Sequence, residues 1–386
     1  MQPRPMPQIS RPRFTRRAGG VAGAALTLPL AAGLRLAAVA PAAADGGRAG
    51  AVYTLTNSPA GNAVAVFDRA ADGTLNATGT VATGGKGTGT GLGSQGALAM
   101  SRDGAWLYAV NPGSDTVAAL RVTDRGLNGP SAVPSSGGQR PISLTAYGSL
   151  LYVLNEASGT LAGFVVGSQG ALTPLPNSIT ALPGGAPAGP AQVSFTPDGN
   201  ALLVTQKAAN ALVSYAVGGD GRLGAPSMLA SSGATPFGFA FAGSSIAVVS
   251  EASGGASSYE VRRSGGVHAV SRSVPDRQRA ACWVATSENG RLAYVANAGS
   301  GSISAYKMDE RGQLSLLDAD GVTARTGADS HPTDEALSAG GGFLYVLLTP
   351  ASASSVSGFA VAADGGLKAV ATATGLPANA AGLVAR

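Results

Sequence analysis

Seven variants of one short pattern recur along this chain: a Pro-containing entry, an alternating apolar strand, a tight turn, a Tyr-Val-Xaa-Asn-like strand and a polar tip. The clearest copies are Leu107-Tyr108-Ala109-Val110-Asn111, Leu151-Tyr152-Val153-Leu154-Asn155 and Ala293-Tyr294-Val295-Ala296-Asn297. Looser copies surround Tyr53, Leu203, Val248 and Tyr345. Their tips are Asn57, Asn111, Asn155, Gln206, Glu251, Asn297 and Leu348, spaced by 54, 44, 51, 45, 46 and 51 residues. A repeat of this length constrains the architecture before any single residue is interpreted.

The spacing is that of a four-stranded propeller blade. Around the fourth tip, Gln192–Phe195 reads as the inner strand and Thr196-Pro197-Asp198-Gly199 as the turn. Leu202–Thr205 is the second strand, Ala211–Val217 the third, and a weak outer strand lies near Leu223. Asp-Gly and Asn-Gly at 103–104 and 289–290 supply the positive φ that such hairpins need. The first unit starts at its Tyr53 strand with no inner strand, and residues 377–385 look like an inner strand with no blade. The expected fold is all-β, a seven-bladed β-propeller of four-stranded blades over 45–386, with the C-terminal strand completing blade 1. Closing the ring this way removes exposed sheet edges.

Residues 1–44 read as an export leader: Arg16-Arg17, a Gly/Ala/Leu run from Ala18 to Leu34, and Ala42-Ala43-Ala44. The arginine pair suggests twin-arginine export, with ordinary secretion as the competing route. Pro29 and Arg35 interrupt the run, so no stable membrane anchor is expected. Six of the 26 basic residues fall in this leader, which leaves 20 against 21 acids in the remainder. That near-neutral balance speaks against nucleic acid as a partner. A lone cysteine, Cys282, forms no internal disulfide. A secreted or extracytoplasmic monomer that binds a small molecule in the central channel or on the top rim is the expectation.

In this architecture the tip loops and the loops entering the next blade share one face. Lys86, Arg140, Glu156, Lys207, Glu251, Asp276, Arg277, Arg279, His331 and Asp334 fall in those loops and are expected on a common rim. His331 is a candidate general base, with Glu156 and Glu251 as candidate catalytic carboxylates. Arg140, Gln192, Lys207, Arg277 and Arg279 are candidate substrate-binding residues, the arginines through bidentate bonds to a carboxylate. No metal-ligand spacing surrounds either histidine, and no cofactor is expected. Gly91-Leu92-Gly93-Ser94-Gln95-Gly96 matches a dinucleotide pattern by letter, but a strand rather than a helix follows, so a flexible loop is expected there.

The Tyr-Val-Xaa-Asn tips, the Pro-Asp-Gly turn and the Asp-Gly-Xaa-Leu outer turns (Asp72–Leu75, Asp220–Leu223, Asp364–Leu367) resemble the seven-bladed lactonase propellers over residues 51–385. That family includes 6-phosphogluconolactonases and carboxymuconate cyclases. The resemblance implies a lactone-handling hydrolase or cyclase acting on a small carboxylated or sugar-derived substrate. It also implies a Gly-Pro-Arg-His entry and an Asn-Glu-Leu tip in one blade. The corresponding residues here are Gly189-Pro190-Ala191-Gln192 and Gln206-Lys207-Ala208, so the arginine, histidine and glutamate are replaced. The replacements leave a second class open, a non-catalytic extracytoplasmic binding or scaffold propeller. Fold analogy alone does not choose between the two.

Overall fold

The structure, a computed structural model, describes residues 49–386. The leader expected over 1–44 lies outside the described residues. Seven antiparallel sheets form the ring, each running from an inner to an outer strand. The inner strands are Ala381–Ala385 in blade 1, Leu98–Met100 in blade 2, Pro141–Tyr147 in blade 3 and Pro190–Phe195 in blade 4. Pro236–Ala242, Ala281–Thr286 and Pro332–Leu337 serve blades 5, 6 and 7. Blade 1 takes its second strand, Gly50–Leu55, from the opposite end of the described chain. Val52 faces Ala385 and Thr54 faces Leu383, so the expected closure is present. Asn57 Nδ2 ties the seam by donating to the Asn379 carbonyl at 3.2 Å.

Burial falls outward across each blade. The second strands, such as Leu150–Asn155 and Leu292–Asn297, are buried almost throughout, because both faces pack against neighbouring blades. The outer strand of blade 4, Leu223–Ala230, is mostly exposed, with Leu223, Ser227 and Leu229 partly buried. Eight residues long, it is more substantial than its sequence suggests. In blades 3 and 6 a further two-residue strand, Thr180–Ala181 or Ala324–Arg325, pairs with the third strand beyond the outer one.

Two of the repeated sequence signatures prove to be halves of one inter-blade joint. Tyr152 of blade 3 donates its hydroxyl to the carbonyl of Gly221, in the outer turn of blade 4, at 2.7 Å. Tyr294 does the same to Gly365 at 3.0 Å, and Tyr345 to Gly73 at 2.8 Å. Each ring lies against a small residue across the third strand: Gly163, Ala305 or Gly358. A Cβ at Gly163 would sit 2.9 Å from the Tyr152 ring. Blades 4 and 5 have Leu203 and Val248 in place of the tyrosine, and there the third-strand partner is a serine. Ser214 Oγ donates to the Gly265 carbonyl, and Ser258 Oγ donates to Gly312 at 2.5 Å. The turn carbonyl keeps its donor whichever strand supplies it, which a buried carbonyl requires.

A second repeated device shapes the tip face. The residue entering an inner strand adopts a left-handed conformation: Arg140 (φ 54°), Gly189 (65°), Thr235 (61°), Ala280 (54°) and His331 (46°). Its carbonyl accepts the backbone N–H of the residue just past the tip of the same blade, pairing Arg140 with Glu156, Gly189 with Lys207 and His331 with Thr349. A positive φ costs a non-glycine residue roughly 1–2 kcal/mol, so the closing hydrogen bond and the strand behind it must hold the geometry. Entry and post-tip side chains therefore stand side by side around the ring.

Candidate functional site

That pairing places Arg140 beside Glu156. Arg140 Nη1 lies 2.9 Å from Glu156 Oε2, and its backbone N–H donates to Asp115 Oδ1 at 2.6 Å. The ion pair is only partly exposed, with 22% of the Glu156 side-chain surface reaching solvent. In the next blade Lys207 takes the Glu156 position. Its ammonium donates to the Gly93 carbonyl at 2.6 Å and sits 4.9 Å above the Phe237 ring. Phe237 packs edge-on against Trp283 at 5.0 Å. Burial holds the Lys207 ammonium below the ordinary lysine range, with the Glu156 carboxylate pulling the other way. Two cations with the Glu156 and Asp115 carboxylates thus stand over a buried aromatic pair.

The segment expected as a flexible loop is an ordered plug under this cluster. Ser94 Oγ donates to the Ile142 carbonyl of blade 3, and Gln95 N to Ala191 of blade 4. Trp283 Nε1 of blade 6 donates to the Ser94 carbonyl at 2.9 Å. The segment therefore crosses the tip-side mouth of the central channel, touching inner strands that face one another across it. The segment is a loop into blade 2 as expected, but its anchoring was not foreseen, because these bonds engage backbone groups of distant strands, which leave no local sequence signal.

The other rim candidates separate. Glu251 is fully buried, and both carboxylate oxygens accept hydroxyl hydrogens, from Ser257 and Ser273. It caps its own blade rather than facing a ligand. Gln192 is 6% exposed, and its whole amide is engaged by the Phe239 main chain of blade 5: Nε2 donates to the carbonyl at 2.9 Å, and Oε1 accepts from the N–H at 2.7 Å. That bridge satisfies the groups a substrate would otherwise use. Arg279 is exposed, with Nη2 donating to the Gly299 carbonyl, and Arg277 is exposed at φ 62°. His331 is exposed in the entry of blade 7, its carbonyl held by Thr349. Among the described residues no hydrogen bond or ion pair joins His331, Glu156 and Glu251. Of the eight candidate site residues, Arg140, Glu156 and Lys207 are brought together. Phe237 and Trp283 were missed, because an aromatic pair split between two blades looks like core in sequence.

Asp276 and Asp334 also leave the expected rim. Asp276 is fully buried in the entry of blade 6, and burial raises its carboxyl. Asp334 is 2% exposed on the inner strand of blade 7, at the register held by Gln192 in blade 4. Burial pushes it up to about 8. Its neighbour Glu335 is raised well above the usual range, by burial and then by Asp334. Among the described residues no group of three or more His, Cys, Asp or Glu side chains is arranged to hold a metal ion. A cleft of about 570 Å³ lies on the face opposite the tips, between the turns at 243–245, 289–291 and 309–312. It holds none of these groups.

Solved structures with this architecture include a Lactobacillus plantarum protein (19% identity, TM-score 0.67, covering 86% of this chain and 98% of that one). Two candidate 6-phosphogluconolactonases also align. The one from Bacteroides uniformis is 16% identical with a TM-score of 0.70, covering 86% of this chain and 98% of its own. The one from Bacteroides fragilis is 18% identical with a TM-score of 0.66, covering 89% and 99%. At such identities the likeness establishes the fold alone. No curated protein matches the sequence. The model of one family, lactonase with a 7-bladed beta-propeller, matches residues 52–181, 129–278 and 246–347, the overlaps reflecting the internal repeat. On that match, over most of its length, the chain belongs to the seven-bladed β-propeller lactonase family.

Proposed function

We propose that this protein opens a small anionic lactone, sugar-derived or carboxylated, on the tip face over blades 3 to 5. The observation that carries this reading is the Arg140–Glu156–Lys207 cluster beside Phe237. Arg140 and Lys207 present two cationic donors that suit a carboxylate or phosphate on the substrate, with Glu156 and Asp115 balancing their charge. Glu156 takes a proton from water, and the oxygen attacks the lactone carbonyl. Lys207, with two N–H bonds beyond the one to Gly93, stabilises the developing oxyanion. The ring C–O bond then breaks, and the ring oxygen takes the proton to give the hydroxy acid. Phe237 and Trp283, buried beneath, back the Lys207 ammonium and hold it in place. The leader composition supports export, with the reaction taking place outside the cytoplasm.

Proton release from δ-gluconolactone, 6-phosphogluconolactone and a carboxymuconolactone tests this on the full chain. Turnover of one of them is expected, with kcat falling about 10²–10⁴-fold in Glu156→Gln. Arg140→Met is expected to raise KM more than it lowers kcat. No turnover on any of the three, or an unchanged kcat in Glu156→Gln, overturns the reading.

A further inference from the structure

The plug does more than cover the channel. Gln95 makes a reciprocal pair with the main chain of blade 6: its Nε2 donates to the Val284 carbonyl at 2.8 Å, and its Oε1 accepts from the Val284 N–H at 3.1 Å. A carboxamide presents one donor and one acceptor in a plane, so it imitates a strand neighbour. Gln192 uses the same geometry on Phe239, but from within a sheet. Gln95 does so from a segment that is one-half glycine, whose backbone has little preference of its own. The two carbonyls immediately before it are the ones that receive Lys207 and Trp283. Blade 5 makes room with Gly238, where a Cβ would stand 2.1 Å from Gln95 Oε1.

We propose that Gln95 is a positioning residue: by clamping the plug to Val284 it fixes the Gly93 carbonyl, and through it the place and depth of the Lys207 ammonium. This rests on the reading of Lys207 as the inner cation of the site. Without the clamp, the plug lifts, Lys207 is rehydrated, and Cys282, buried 6% exposed beside Trp283, becomes reachable.

The full chain has four lysines and one cysteine, so peptide mapping after treatment with an acetylating ester and, separately, iodoacetamide reports each site. In Gln95→Ala, Lys207 is expected to acylate about tenfold faster than in the parent protein, as local opening frees it. Lys86, Lys307 and Lys368 keep their rates. The inflection of the Lys207 pH–rate profile moves up toward the ordinary lysine range, and Cys282 alkylation accelerates. Gln95→Met keeps the length, adds no charge and loses both bonds, so it shows a change in the same direction and serves if alanine prevents folding. Tyr345→Phe, which weakens a distant joint, leaves Lys207 and Cys282 at parental rates. Parental Lys207 rates in both Gln95 variants, or equal acceleration in Tyr345→Phe, overturn the proposal. Because labelling needs no turnover, a released Lys207 in a protein that opens no lactone refutes the proposed reaction and leaves the clamp standing.

Discussion

Blades 4 and 7 place different chemistry at the same two positions. At the inner position blade 4 has Gln192, which donates to and accepts from the Phe239 main chain. Blade 7 has Asp334, turned toward the Leu383 main chain of blade 1. An amide can serve a strand's N–H and carbonyl together, whereas an ionised carboxylate only accepts. The acid completes such a bridge only while it keeps its proton, and burial favours the protonated form. At the outer position blade 7 pairs Tyr345 with Gly358, and blade 4 pairs Leu203 with Ser214. Both arrangements deliver a hydroxyl to a turn carbonyl of the next blade. A repeat can thus conserve a contact while exchanging the strand that provides it. The divergent copies, blades 4 and 5, are also those that carry Lys207 and Phe237.

The largest test of the comparison removes the seam on which blade 7 depends. Deleting residues 377–386 strips blade 1 of its inner strand, exposes the edge of Gly50–Leu55 and leaves Asp334 without its neighbour. Thermal unfolding should lose its single cooperative transition or shift down by more than about 10 °C, measured by calorimetry; an unchanged transition would show that the ring does not need this strand.

Next comes pH. With its carboxyl raised to about 8 from an ordinary 3.8, Asp334 stays protonated in the folded protein over a range where the unfolded chain has lost the proton. Its stabilising contribution is full below 3.8 and is lost as pH rises toward 8; Glu335 acts in the same direction. Tm should therefore fall between pH 5 and 8 through these groups. Asp334→Asn, which makes blade 7 resemble blade 4, should flatten that fall. An equally steep profile in the variant would exclude Asp334 as its source.

A smaller effect is expected from exchanging the joints. Leu203→Tyr forces a ring against Ser214 and should cost about 1–3 kcal/mol in denaturant unfolding. Adding Ser214→Gly rebuilds the blade 7 arrangement and should recover most of that cost; additive losses would mean that the two solutions are not interchangeable. Smallest is Tyr345→Phe, which leaves the Gly73 carbonyl without this donor and should cost about 1 kcal/mol.

Much of the fold was legible because the repeat writes strand and turn in local residues. Tyr152, Asn155 and Asp220-Gly221 each carry their own propensity, and the missing inner strand at one end matched a spare one at the other. The meaning of the Tyr and Asp-Gly signatures was not legible, since they meet only between blades. Charge in a loop was a poor guide to exposure. Arg140, Glu156 and Lys207 reached the tip face, but Glu251 turned into a pair of serines and Asp334 into the neighbouring blade. Gln95 carried no charge and no periodicity, so its role emerges only where blade 6 comes within reach.

The seam has a consequence for the order of events in synthesis. Six blades draw all their strands from one continuous stretch of chain and can form as that stretch emerges. Blade 1 cannot: Gly50–Leu55 is made before the other six blades and Ala381–Ala385 after them. Until the latter is made, the growing ring is an open arc whose first blade lacks its inner strand, and circular closure is the last step of its assembly.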